Sequence, residues 1–291
     1  MGGGGPVART YDKDLNKVVE TIFRFLRRYN VPEHWSRRRN EKYSVHLMIV
    51  LLVLFCLSDK SYRRFARQLH SCPPDALRGH LLPASSTMWE AWRRLSPRFL
   101  RRLVQLSGKG GRDKLAALDP THFEISRPSI SYCKRVKRNI MRDPNRKTSI
   151  VTGTRSLRIL DAYMRKNQRR NGLDDIPKLM NEWVNGKTVA ADTEFDAEER
   201  FHQLVLGAGG KGVVPLRHKG VPVWRTNGAR RKQLRRRWPG RSYRRRPLAE
   251  TANSMLKRGM GTTLRGRTVG QQARHFYAKC FTHNILMRCP E

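Results

Sequence analysis

Tyr243-Arg-Arg-Arg246-Pro-Leu-Ala-Glu250-Thr-Ala-Asn-Ser-Met-Leu-Lys257-Arg258 sets a single carboxylate inside a strongly basic, helix-forming stretch. Pro247 suits the first position of a helix and pushes the preceding Arg246 out of the α region. The spacing predicts a helix from Pro247 to Arg258, ended by Gly259. Arg246 lies four residues before Glu250 and Lys257 seven after it, near one helical face. As plain ion pairs such contacts contribute only about 0.2–0.5 kcal/mol each. An acid kept among so many cations reads instead as a metal-binding group on a surface built to hold a polyanion. Tyr243 precedes the expected helix and approaches the same point from a loop.

The residues just upstream point the same way. Positions 217–246 hold thirteen Lys or Arg and no Asp or Glu, with Trp224 and Trp238 among them. The expectation is a basic loop over 217–246 laid along phosphates. Its runs Arg235-Arg236-Arg237 and Arg244-Arg245-Arg246 suit backbone contacts, which position DNA without reading it. The whole chain agrees: 61 Lys and Arg against 23 Asp and Glu give a formal charge of +38 over 291 residues. A field of that size and sign attracts nucleic acid and says nothing about fold. Hydrophobic residues at 38% suffice for a packed core.

A membrane span is not expected. The longest apolar run, residues 47–57 (LMIVLLVLFCL), falls short of the ~18 residues that crossing hydrocarbon requires. The Met-Gly-Gly-Gly-Gly-Pro start carries no secretory pattern, so a cytoplasmic, nucleoid-associated setting is expected. The cysteines, Cys56, Cys72, Cys133, Cys280 and Cys289, are scattered without CxxC spacing. Neither a zinc site nor a disulfide framework is expected from them.

Residues 1–10 are expected to be a flexible Gly-rich arm, and 11–107 read as helical. Val18, Ile22, Phe25 and Leu26 recur on one face, and a buried helix follows over 45–57. A further helix over 86–95 takes Ser85 or Ser86 as its N-cap. This region serves DNA binding or dimerisation if a helix of it enters a major groove. Alternatively Trp89 and Trp92 simply pack a bundle. Gly108-Lys-Gly-Gly-Arg-Asp113 reads as a hinge and domain boundary. Beyond it, over 112–291, apolar strands are expected at 114–119, 149–154, 157–163, 187–192 and 212–216, with helices over 197–206 and 271–287. The fold class is α/β: a mixed β-sheet flanked by helices, preceded by an all-α N-terminal region.

Asp119 closes one apolar strand and Asp192 another, where α/β sheets tend to place their chemistry. Glu250 supplies a third acid. Each alone reads as a turn or cap residue; jointly they suggest a site. Three converging carboxylates repel unless divalent cations neutralise them, and hard oxygen ligands favour Mg²⁺ or Mn²⁺. Two such ions about 3.5–4 Å apart activate a water or a 3′-hydroxyl and stabilise the leaving oxygen. Neither a GxSxG elbow nor a Walker loop offers another chemistry. Asp196 is expected to cap the helix that starts at Ala197; Glu124, Glu194 and His122 read as solvated or structural groups.

These residues resemble the DDE transposases of prokaryotic insertion sequences, in the broad group that includes insertion-sequence families four and five. The family motif is Tyr, two residues, Arg, three residues, Glu, six residues, Lys; Tyr243, Arg246, Glu250 and Lys257 match all four positions. Leu118-Asp119-Pro120-Thr121 and Ala191-Asp192-Thr193-Glu194-Phe195-Asp196 are similar to the two aspartate motifs. Phe195 stands where Tyr is commoner, and no long β-rich insertion precedes the glutamate helix. The resemblance covers roughly residues 45–285 and implies a ribonuclease-H-like catalytic domain with two Mg²⁺ or Mn²⁺ ions held by Asp119, Asp192 and Glu250. It further implies that Tyr243, Arg246 and Lys257 bind end-DNA, that terminal inverted repeats and target DNA are the partners, and that a homodimer assembles on DNA. The alternative is a regulator derived from a transposase, still binding DNA but catalytically inactive; the presence of all three acids argues against it. A general nuclease of the same fold is a third reading.

Overall fold

The computed structural model describes residues 13–34, 42–126, 145–166, 171–218 and 220–290. The expected Gly-rich arm and Cys133 lie outside them. The chain is mixed α/β, a mixed sheet flanked by helices behind an all-helical N-terminal part.

Among the described residues five α-helices come first: α1 (Leu15–Arg28), α2 (Val45–Leu57), α3 (Tyr62–Ser71), α4 (Ser85–Arg94) and α5 (Pro97–Gly108). Side-chain caps start most of them: Asp14 for α1, Ser44 for α2, Ser61 for α3 and Ser96 for α5 each accept a backbone N–H of the first turn. On α1 the one-face pattern holds, with Val18, Val19, Ile22, Phe25 and Leu26 buried. Residues Val45 to Cys56 of α2 are buried all round. No single helix among the described residues is long and apolar enough to cross a membrane. The expected serine cap of α4 is corrected: Ser85 is already helical, and Ala84 occupies the cap without a side-chain bond. Trp92 is a packing residue whose indole N–H donates to the Met48 carbonyl, whereas Trp89 stays partly exposed.

The sheet runs in the order β3-β2-β1-β4-β5, built from β1 (Leu115–Ile125), β2 (Asn145–Gly153), β3 (Ile159–Met164), β4 (Thr188–Ala190) and β5 (Lys211–Val213). β1, β2 and β3 are antiparallel neighbours; β4 is parallel to β1 and β5 to β4. A short β6 (Thr263–Leu264) pairs in parallel with the far end of β1. Alternation sends Ala116 and Leu118 of β1 to one core, shared with Trp183, Phe195 and Phe201. Phe123 faces the other, which is continuous with the N-terminal helices.

After β3 come α6 (Ile176–Leu179), a π-helical turn over Glu198–Gln203 and α7 (Leu204–Gly207). The basic segment holds α8 (Ala229–Arg236) and α9 (Gly240–Tyr243), followed by α10 (Pro247–Met260) and α11 (Val269–Leu286). α10 passes through Gly259 and stops at Gly261. The buried Lys279 of α11 fixes that stop, its ammonium donating to the carbonyls of Gly261 and Thr263 at 2.7 and 2.9 Å.

The expected hinge at 108–113 begins at the last residue of α5. α5 runs through Gly108 and packs on β3 and α11 within a single core. A Cβ on Gly108 would stand 2.6 Å from the Ile159 carbonyl oxygen, so this glycine serves close approach rather than flexibility. Two polar contacts lock the same junction. Arg101 grips the fully buried Asp161 with two hydrogen bonds of 2.9 and 2.7 Å. The Asn284 amide bonds both backbone groups of Ile159 and the Ser107 hydroxyl.

Candidate functional site

Sheet register brings the first two acids together. β1 and β4 run parallel with Ala117 beside Ala190, so two steps further Asp119 and Asp192 stand level. Adjacent strands lie about 4.8 Å apart. Asp119 does not close its strand as expected: β1 continues to Ile125 because its far half pairs with β2 and β6. Asp192 has left the sheet and caps the turn Thr193–Phe195 by accepting the Thr193 N–H. Glu250 sits in the first turn of α10, where the helix dipole favours an anion.

Arg246 joins the three. Its Nη2 donates to Asp119 Oδ1 at 2.9 Å and to Asp192 Oδ2 at 3.4 Å, and its Nη1 to Glu250 Oε1 at 2.6 Å. Bonded to one nitrogen, Asp119 and Asp192 are necessarily neighbours. This also overturns the expected extended backbone at Arg246, which is α-helical at φ −56° and ψ −41°. Three charge-assisted bonds outweigh the mild clash with the following proline. Asn253, one turn beyond Glu250, donates its Nδ2 to Asp119 Oδ2 at 2.8 Å.

The cluster has a floor and two open walls. The Asp119 side chain is 13% exposed, against 50% for Asp192 and 56% for Glu250. Burial pushes the Asp119 carboxyl up; Arg246 and Asn253 pull it back, and the Glu250 and Asp192 charges push it further. Burial works against the Arg246 charge, but the three carboxylates prevail and hold it above its ordinary value. Lys257 is lowered by burial, with Asp119 and Glu124 opposing, and its ammonium lies 5.6 Å from the centre of the Phe123 ring.

The donor set is all oxygen, and three carboxylates around one guanidinium leave two negative charges uncompensated. Arg246 Nε and Asn253 Oδ1 are buried without a hydrogen-bond partner. The oxygen donor set and the unmet Asn253 oxygen fit a hard divalent cation held by Asp119, Asp192 and Glu250. With the acids drawn onto Arg246, no three His, Cys, Asp or Glu side chains stand in ligand geometry among the described residues.

The basic stretch expected as a loop is about half helical, and two acids organise it. Asp196 accepts from Arg231 Nε at 2.7 Å, Arg231 Nη2 at 2.9 Å and the Arg217 N–H at 2.9 Å. Glu198 accepts the N–H groups of Arg230 and Arg231 at 3.0 and 3.1 Å, capping α8 from a distant segment. Gly228, at φ +90°, is required there: a Cβ would stand 2.3 Å from the Glu198 carboxylate. Asp196 is thus a clamp for arginines; the following helical turn is capped at Ala197 without a side-chain bond. Arg217 also donates to the carbonyls of Thr193 and Glu194, which fastens the basic segment to the turn carrying Asp192.

Of the side chains expected to meet DNA, Arg236, Arg237, Arg244 and Arg245 are exposed. Arg235 is fastened to the His218 carbonyl at 2.6 Å, and Arg246 faces inward to the acids. Tyr243 ends the short helix α9 rather than lying in a loop, its ring 5.1 Å from Trp238. Two contributors escaped the sequence reading. Asn253 carried a signal, since three residues past Glu250 is the same helical face; the Asp196–Arg231 pair carried none. No protein-family model matches this chain, and no curated protein matches it.

Proposed function

We propose that the chain is a DDE-type DNA transposase with a ribonuclease-H-like catalytic domain, cutting transposon ends and joining the freed 3′-hydroxyl to target DNA. One observation carries the reading: Asp119, Asp192 and Glu250, read as a set from separated segments, gather on a single guanidinium. The strand order and the parallel β1–β4–β5 edge support the fold assignment.

In this reading the three carboxylates hold two Mg²⁺ or Mn²⁺ ions, which when bound would activate the attacking oxygen and stabilise the leaving one. Asn253 keeps the Asp119 carboxylate oriented. Arg246 holds the acids together beforehand and then swings to a DNA phosphate, a bidentate partner its fork suits. Arg236, Arg237, Arg244 and Arg245 grip the duplex backbone, which positions terminal repeats and target without reading them. A second copy of the chain binds the other end, and the setting is the prokaryotic nucleoid.

A nicking assay on supercoiled DNA carrying the element's ends, with Mg²⁺ or Mn²⁺ and with chelator, tests this against Glu250→Gln. Cuts that need the metal and vanish in the variant are expected. Tight binding without cutting by the unaltered chain would instead establish a DNA-binding regulator, and cutting without preference for those ends a general nuclease.

A further inference from the structure

A second anion-facing feature lies well away from the carboxylates. β1 runs on from Asp119 to Ile125, which carries its far end roughly 20 Å from the acid at ~3.3 Å per residue. There α4, the connection after β6 and the start of α11 enclose a cleft of about 830 Å³. That volume suits a drug-sized ligand and far exceeds a phosphate group.

Its floor is aromatic: Phe55 and Tyr62 stack at 4.5 Å, with Trp92 5.4 Å from Tyr62. Its wall is Trp89, 38% exposed despite its size, with the Arg93 guanidinium 4.6 Å from the ring centre. Arg265 lies 5.0 Å from the centre of the Phe55 ring and is ion-paired to Asp59. Arg274 donates to the Leu95 carbonyl, and its charge is disfavoured first by burial and then by Arg93. No Asp or Glu among the described residues lines the cleft. Two guanidiniums that repel each other beside a partly exposed indole are matched by an anion attached to a flat ring.

Nucleic acid presents that pairing, but a base offers its face only when it is unstacked from its neighbours. We propose that this cleft takes one unpaired nucleotide of DNA, its base against Trp89 and its phosphate between Arg93 and Arg274. The proposal rests on the reading of DNA as substrate. It gives the N-terminal helices a part in holding distorted or single-stranded DNA, separate from the carboxylate site.

Anisotropy titrations of the full chain with two labelled single strands of equal length, one carrying bases and one abasic, read the stacking contact at constant charge. The unaltered chain should prefer the base-bearing strand about tenfold, the scale of one base–aromatic stack. Trp89→Ala should erase that preference. Arg93→Gln should weaken both strands alike. The cleft assignment is overturned if Trp89→Ala, with an unchanged thermal midpoint, still discriminates, or if the unaltered chain never does. Metal-dependent nicking that persists in such a case leaves the transposase reading standing. A chain that neither binds nor nicks DNA removes both.

Discussion

Two acid–guanidinium clusters flank the turn at residues 193–195, and they are built on opposite terms. In the clamp, Asp196 is fully buried at its carboxylate and both its oxygens are bonded, as are both oxygens of Glu198. In the candidate site one arginine serves three acids, two of them half-exposed, while Arg246 Nε and Asn253 Oδ1 go unmet. A buried polar network that is fully satisfied rigidifies a fold; one that falls short of partners marks a place awaiting a ligand. What separates scaffold from site here is the saturation of the carboxylates themselves: both oxygens of Asp196 and Glu198 are bonded, whereas three acids share one guanidinium at Arg246 and the neutral, unbonded His202 stands outside the comparison.

Replacing one acid in each cluster should break the comparison most visibly. Glu250→Gln is expected to leave the unfolding transition where it is and to cut metal-dependent cleavage by at least about 10²–10³-fold, the scale of removing one preorganised contact to the reacting charge. Asp196→Ala should do the reverse in kind. It strands the Arg231 charge and costs roughly 3–5 kcal/mol of stability in urea unfolding. Equal stability for the Asp196 variant would mean that the clamp is not what fastens 217–246.

Acid should lower the stability of the folded chain through the buried histidine beside the clamp. His202, 2% exposed, lies beside the clamp with neither ring nitrogen hydrogen-bonded, facing Glu198, Arg230, Asp196 and Arg231. Burial lowers it from 6.5 to about 4, the two acids opposing and the two arginines assisting. Burial lowers His283 to about 4 as well. A histidine depressed in the folded state is protonated first in the unfolded chain, so stability is full above pH 6.5 and declines as pH falls toward 4. The full decline is of order a few kcal/mol per group. Thermal midpoints measured between pH 7 and pH 4 should fall, and His202→Leu should flatten the curve. A flat curve for the unaltered chain would remove His202 as the cause.

Much of this was legible from sequence, where local pattern and tertiary structure agree. The aspartate strands, the glutamate helix and the last helix announce themselves through apolar periodicity, and the register of short strands then sets Asp119 level with Asp192. Legibility ended where distant partners decide. α8 shows no apolar stripe, with Leu234 as its one buried residue, and it takes its N-terminal cap from Glu198. Gly108 imitates a hinge residue because sequence cannot distinguish a glycine kept for mobility from one kept for contact with Ile159. Arg246 obeys three carboxylates over the proline that follows it, and its role as their counter-ion is visible only once they meet.

The finest test asks whether Arg246 supports the acids or competes for them. As scaffold, it fixes their positions, and its loss should weaken divalent binding. As a stand-in cation, it occupies their charge, and its loss should favour such binding. The leftover negative charge, the unmet Asn253 oxygen and the exposure of two acids favour the second role. In Arg246→Gln the mutual repulsion of the carboxylates rises, so Asp119 should climb further above its ordinary value and Mg²⁺ should bind several-fold more tightly, read by calorimetric titration without DNA. DNA binding should weaken at the same time, its salt dependence shallower by about one unit for the lost phosphate contact. Arg246→Lys should fall between, since an ammonium keeps the charge but not the fork that reaches Asp119 and Glu250 together. Opposite signs for metal and DNA affinity are the signature of a cation that gives up one partner for the other. A fall in both would make Arg246 a scaffold like Arg231 and erase the distinction between the two clusters.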